Sequence, residues 1–208
     1  GSIPRSSVIL VGEIGINHNG SVKEAMMLMD QIKECGWDYC KFQKRTIEKV
    51  YTKEYLDSPR KSPWGTTQRE QKEALELDRS DYKRIDAHSK LIGLPWFASP
   101  WDEDSVDFLV SFNVPWIKIA SAMVTNIPFL EKVASTGIPT VLSTGGCTLK
   151  DIAVAATILK DNLQWILHCT ATYPTPVNEV NLETIPFLRE WVQESYWEWP
   201  GDPPRIGY

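Results

Sequence analysis

A parallel α/β fold is what the sequence predicts, and three observations predict it. Short apolar runs recur along the chain, each followed by a polar turn and then an amphipathic stretch of helical period. Most runs are spaced by roughly twenty to thirty residues, the length of one strand-turn-helix unit. The ends of the runs carry charged or hydroxyl residues: Glu13, Lys41, Ser99, Lys118, Ser143 and His168. An open doubly wound sheet and a (β/α)8 barrel both fit this rhythm. No G-x-G-x-x-G follows the first run, which counts against the dinucleotide-binding version.

The stretch from Val8 to Gly20 reads as a strand running into a loop. Glu13 lies at the end of its apolar part, where a carboxylate is costly unless it meets a partner, a metal or a substrate. Ser21 caps a helix with apolar residues at Val22, Ala25, Met26, Met29 and Ile32, stopped by Gly36. Tyr39 to Gln43 is the second strand, with Lys41 inside it. Residues 44–67 lack periodicity and read as a long excursion that covers a site. Helices follow over Thr67 to Glu76 and Ser80 to Ile92, the second capped by Ser80 and stopped by Gly93.

Leu94 to Ser99 is the third strand, and Asp102 to Phe112 a helix with acids in its first turn. Pro115 to Ser121 is the fourth strand, with Lys118 inside, and Ile127 to Ser135 is a helix closed by Gly137. Thr140 to Gly146 gives a fifth strand and a glycine turn before an amphipathic helix over Leu149 to Leu159. Leu163 to His168 is the sixth strand, Leu182 to Val192 a helix, and Arg205 to Tyr208 the opening of a seventh strand. One domain over residues 1–208 is expected.

A formal charge of -5 argues against an electrostatic nucleic-acid or membrane-surface partner. No apolar run approaches the roughly 18 residues of a membrane span, and no signal-peptide pattern opens the chain. Cys35, Cys40, Cys147 and Cys169 form no CxxC pair, which suits reduced packing thiols and a cytoplasmic location. Trp191, Trp197 and Trp199 crowd the last eighteen residues, and coverage by a partner subunit or by further structure is expected for them.

In a parallel barrel the strand ends meet at one mouth. Two lysines, several hydroxyls and the Gly145-Gly146 turn would there cradle a phosphate or carboxylate dianion through charge-assisted hydrogen bonds. A plainer account stands beside each residue. Ser99, Ser121 or Ser143 taken singly reads as a helix cap. Lys41 and Lys118 can belong to structural salt bridges, Lys41 with Glu13 for one. His18 and His88 read as structural or exposed, and His168 is open between a site residue and a satisfied barrel histidine.

Six stretches carry a resemblance to a known family. They are Glu13 to Gly20, Lys41-Phe42-Gln43, Ser99 to Ser105, Lys118 to Ser121, Leu142 to Gly146, and His168-Cys169-Thr170 with Tyr173 to Pro176. In this order they resemble the N-acetylneuraminate (sialic acid) synthase family. The resemblance implies a (β/α)8 TIM-type barrel, here incomplete at its C-terminal end. It implies condensation of phosphoenolpyruvate with an N-acetylated amino-sugar aldehyde such as N-acetylmannosamine, giving a nine-carbon 2-keto sugar acid and phosphate. Lys41, Ser99, Lys118, Ser121 and Ser143 would hold phosphoenolpyruvate, Gln43 and Tyr173 would face the sugar, and Glu13 would sit at the reacting centre.

The resemblance also implies a divalent metal, manganese or magnesium, whose two histidine ligands would lie beyond Tyr208, as would strand eight and a small antifreeze-like domain. A homodimer is implied for the full-length protein. Met123 and Ala171 stand where many members carry an acid and an asparagine, both on the sugar side, which leaves the acceptor open to a modified or differently substituted hexosamine. Two further functions compete with this one. They are a non-catalytic anion-binding or assembly module, and a related phosphoenolpyruvate-dependent aldol synthase.

Overall fold

The computed structural model describes residues 8–194, 199 and 201–208. The chain divides into two compact units, residues 1–98 and 99–208. Each has the α/β character that the hydrophobic rhythm predicts, with parallel strands and helices alternating along the chain.

In the first unit, β1 (Val11–Gly15) pairs in parallel with β2 (Tyr39–Lys44). Between them α1 (Val22–Glu34) starts at Ser21, whose hydroxyl accepts from the Glu24 amide, and Gly36 takes the left-handed φ of 72° just past its end. The excursion is structured: α2 (Ile47–Val50) and α3 (Lys53–Leu56) precede an antiparallel pair, β3 (Pro59–Ser62) and β4 (Gly65–Thr67). Next come α4 (Gln68–Leu75), α5 (Arg79–Ile92) and the start of β5 (Trp96–Pro100). Asp78 caps α5 rather than Ser80, because Asp78 and Asp81 bond each other's backbone amides in a capping box. Gly93 ends that helix at φ 64°, as expected.

An aromatic core sits under this unit's sheet. Phe42 meets Tyr82 and Trp96 edge-on, with ring centroids 5.9 and 6.0 Å apart, and Ile14, Met29 and Ile85 are buried around them. Fully burying a side chain of this size is worth roughly 1.5–3 kcal/mol relative to leaving it exposed.

The second unit opens on the end of β5 and contains α6 (Glu103–Val110), β6 (Ile117–Ile119), a 3-10 turn at Ser121–Met123 and α7 (Ile127–Ser135). There follow β7 (Thr140–Ser143), α8 (Leu149–Leu159), β8 (Leu163–Leu167), α9 (Thr184–Glu194) and β9 (Arg205–Gly207). Strands β6, β7, β8 and β9 pair in parallel in chain order. The expected fourth strand is thus shorter than its apolar run, because Ser121 leaves the ladder to begin a 3-10 turn.

Trp191 and Trp199 are half-buried, and Trp197 lies outside the described residues. Cys40 is buried and Cys147 and Cys169 are half-buried, all free thiols as expected, whereas Cys35 is exposed rather than a packing residue of the core. Among the described residues no helix is long and apolar enough to cross a membrane.

Candidate functional site

The lysines in β2 and β6 find their place through strand alternation. Cys40 and Phe42 are buried on one face of β2, so Lys41 emerges on the other; Ile117 and Ile119 do the same for Lys118 in β6. Neither lysine is therefore a core intruder. Each is a cation presented by a strand whose opposite face anchors it.

In the first unit, Lys41 Nζ lies 2.6 Å from Glu13 Oε2 across the β1–β2 ladder, where Glu13 and Lys41 are register partners. The expected ion pair exists, but the carboxylate is not the buried group that the apolar run implied. Its side chain is 46% exposed, on the strand face opposite the buried Ile14 and shared with its register partner Lys41. The strand reaches Gly15, at φ 55°, where an added Cβ would lie 2.9 Å from Glu13 Oε1 and 3.6 Å from Gln43 Nε2. Glu13 and Gln43 thus flank one bare backbone position. Glu13 also lines a cavity of about 480 Å³ between β1 and α1, with Leu28, Ile32 and Trp37 among its walls.

Gln43 is held at both ends. Its carbonyl accepts from the Tyr82 hydroxyl at 3.1 Å, and its side-chain oxygen accepts from Arg45 Nη2. Arg45 Nη1 lies 3.6 Å from Glu76 Oε1, and Lys44 Nζ lies 3.1 Å from Glu76 Oε2. Burial pushes the Glu76 carboxyl up, against the opposing pull of Lys44 and Arg45. Sequence inspection did not single out Arg45, Glu76 or Tyr82. The only local signal was the Lys44-Arg45 pair directly after Gln43, and Glu76 reaches it from 31 residues away.

In the second unit, Ser99 and Ser143 are buried at 2% and 1% exposure, Ser121 and Lys118 are half-buried, and Tyr173 is 97% exposed. The Gly145 amide donates to Ser121 Oγ at 2.9 Å, which leaves the Ser121 hydroxyl hydrogen to be given elsewhere. A Cβ at Gly145 would sit 3.2 Å from both that Oγ and the Cys169 carbonyl oxygen, so the turn is packed to its backbone. Cys169 Sγ lies 3.6 Å from Ser143 Oγ. The N-caps of α6, α7 and α8 are Asp102, Asn126 and Thr148 rather than these serines.

The histidines are settled by their partners. His168 Nε2 lies 2.8 Å from the Val180 carbonyl, which can only accept, so the nitrogen carries the proton and ties the loop after β8. His18 is buried, and its Nδ1 accepts from the Gly20 amide at 3.0 Å; burial lowers its pKa below 6.5, partly offset by Glu24 and Asp81. His88 pairs with Asp30 at 2.7 Å. Among the described residues no group of three or more His, Cys, Asp or Glu is arranged to hold a metal ion. The described residues therefore offer no ligand set for the implied metal.

The model of the NeuB family matches residues 28–195. The chain is 35% identical over 188 residues to the N-acetylneuraminate-9-phosphate synthase of Drosophila melanogaster, covering 88% of this chain and 50% of that one. It is 34% identical over 208 residues to the N,N'-diacetyllegionaminic acid synthase of Legionella pneumophila, covering 91% and 57%. The crystal structure of N-acetylneuraminic acid (sialic acid) synthetase from Leptospira borgpetersenii, in complex with citrate, matches with a TM-score of 0.79 at 25% identity, over 97% of this chain and 64% of that one. The chain spans about half the length of the curated relatives it matches.

Proposed function

The chain belongs to the NeuB family, and from that premise we propose that it is the barrel part of an enzyme condensing phosphoenolpyruvate with an N-acetylated amino-sugar aldehyde. The products are a nine-carbon 2-keto sugar acid and phosphate. The relatives' names support a sugar acid of this class and differ in which one, N-acetylneuraminate-9-phosphate or N,N'-diacetyllegionaminic acid. Within the class, the acceptor is an N-acetylated hexosamine. The TM-score of 0.79 to the sialic acid synthetase supports a (β/α)8 barrel as the parent architecture.

The observation that carries the chemistry is the Glu13–Lys41 pair at the exposed end of adjacent strands. A carboxylate held by a lysine, yet open to solvent, is poised to orient water or an aldehyde. Lys41, Ser99, Lys118, Ser121 and Ser143 hold the phosphate and carboxylate oxygens of phosphoenolpyruvate, the lysines by charge and the hydroxyls by donation. Gln43 and Tyr173 face the sugar. C3 of phosphoenolpyruvate attacks the aldehyde carbon, water adds at C2, and phosphate leaves as the C–O bond breaks, so one water is consumed per turnover. Manganese or magnesium, when bound in this family, would polarise the aldehyde. A small-molecule enzyme working as a homo-oligomer in the cytoplasm completes the proposal.

Phosphate release from phosphoenolpyruvate tests it, measured with N-acetylmannosamine and manganese on this chain and on a chain extended past Tyr208 to its relatives' length. Stoichiometric phosphate and keto-acid sugar are expected from the extended chain. Binding of phosphoenolpyruvate without keto-acid formation from any N-acetylated hexosamine would sink the proposal.

A further inference from the structure

We infer that Arg45, braced by Glu76, is a positioning residue that fixes the side-chain amide of Gln43 with its nitrogen toward Gly15 and Glu13, so that the position recognises an oxygen acceptor on the sugar. The inference rests on the proposed sugar-facing role of Gln43.

An amide side chain can ordinarily present either its oxygen or its nitrogen, and the choice decides what it recognises. At Gln43 the neighbour removes the choice. A guanidinium carries only donors, so the atom it meets must be the amide oxygen, Oε1. The nitrogen is left on the Gly15 side, 3.6 Å from where a Cβ of that residue would stand. Glu13 Oε1 borders the same place at 2.9 Å. A ligand entering there meets an N–H donor beside a carboxylate. A hydroxyl satisfies both groups, accepting from Gln43 and donating to Glu13, whereas a second carboxylate would be repelled.

The brace is what keeps Arg45 in place. Glu76 Oε1 lies 3.6 Å from Arg45 Nη1, and its Oε2 accepts from the Arg45 backbone amide at 3.4 Å and from Lys44 Nζ at 3.1 Å. Tyr51 bonds the Arg45 side chain as well. Tyr82, buried beneath β2, fixes the backbone of Gln43 itself. The excursion after β2 therefore reaches back and sets the polarity of one side chain on the strand it left.

The test is a double-mutant cycle read by titration calorimetry on this chain with N-acetylmannosamine and with phosphoenolpyruvate. Arg45→Met is expected to weaken sugar binding about tenfold, the worth of one good hydrogen bond, and to leave phosphoenolpyruvate binding within about twofold. In a Gln43→Met background the same Arg45→Met change is expected to have no further effect on sugar binding. Equal weakening of both ligands, or an equal loss in both backgrounds, would overturn the inference. Failure of the parent chain to bind any N-acetylated hexosamine would instead fault the proposed function. In that event the relay is read from the nitrogen-15 resonances of the Gln43 side-chain amide in the ligand-free protein. Arg45→Met and Glu76→Gln should both move them, and an unmoved pair would end the inference.

Discussion

Lys118 and Lys41 show how much a single position in a strand can decide. Each is flanked by buried apolar neighbours, and the alternation that buries those neighbours aims the ammonium group away from them. Both lysines lie in strands as expected, Lys41 nearly buried in its pair with Glu13 and Lys118 half-buried, but which strand face each occupies is not written in either strand alone. The exposure of Glu13 has a related reason: its partner Lys41 is set by the pairing of two strands, which neither strand's sequence announces. In the proposed enzyme Lys118→Ala should weaken phosphoenolpyruvate binding by about tenfold or more, the scale of a lost charge-assisted hydrogen bond, with sugar binding nearly unchanged. Calorimetry with each ligand checks this, and equal losses would point to a folding role. His18 allows a prediction about pH. Its folded pKa is depressed by burial, so the unfolded chain takes up the proton first as pH falls through 6.5. Above that value both states are neutral and His18 contributes nothing; below it, folding is progressively penalised. His18→Asn, which keeps an acceptor near the Gly20 amide, should flatten the fall in urea midpoint between about pH 7 and pH 5.

At the scale of elements, the local signals were read well where one residue type had one job. Ser21 caps α1, Gly36, Gly93 and Gly137 take the positive φ expected at helix ends, and α8 spans the predicted Leu149–Leu159. Where two capping residues stood close together, as at Asp78 and Ser80, the reciprocal bonds with Asp81 decided, and those need geometry to see. The excursion over residues 44–67 was legible as an excursion only; two short helices and a two-stranded pair are too brief to leave a period. In α8, Thr148 and Asp151 form a capping box, and Thr148→Ala should cost about 1 kcal/mol in denaturant unfolding. Gly20 is more constrained. At φ 76°, a Cβ there would stand 2.0 Å from the Ala74 carbonyl oxygen, so Gly20→Ala should destabilise by roughly 1–3 kcal/mol.

Along the chain, the alternation of parallel strands with helices was legible from the hydrophobic rhythm, because each strand's face is enforced by burial. The polar network of Lys44, Arg45 and Glu76 was not, since its members meet through the fold rather than along the chain. The distribution of thiols has a practical consequence. Cys40 is buried and its thiol is pushed up to about 12, and burial raises Cys147 as well, whereas Cys35 lies exposed at the end of α1 beside the cavity that Trp37 lines. Cys35 is thus the most open to modification, where Cys40 is buried and Cys147 and Cys169 are half-buried. A substoichiometric maleimide probe should label Cys35 first, as peptide mass mapping would show, giving the native chain a fluorescent reporter next to a tryptophan donor without any engineered residue.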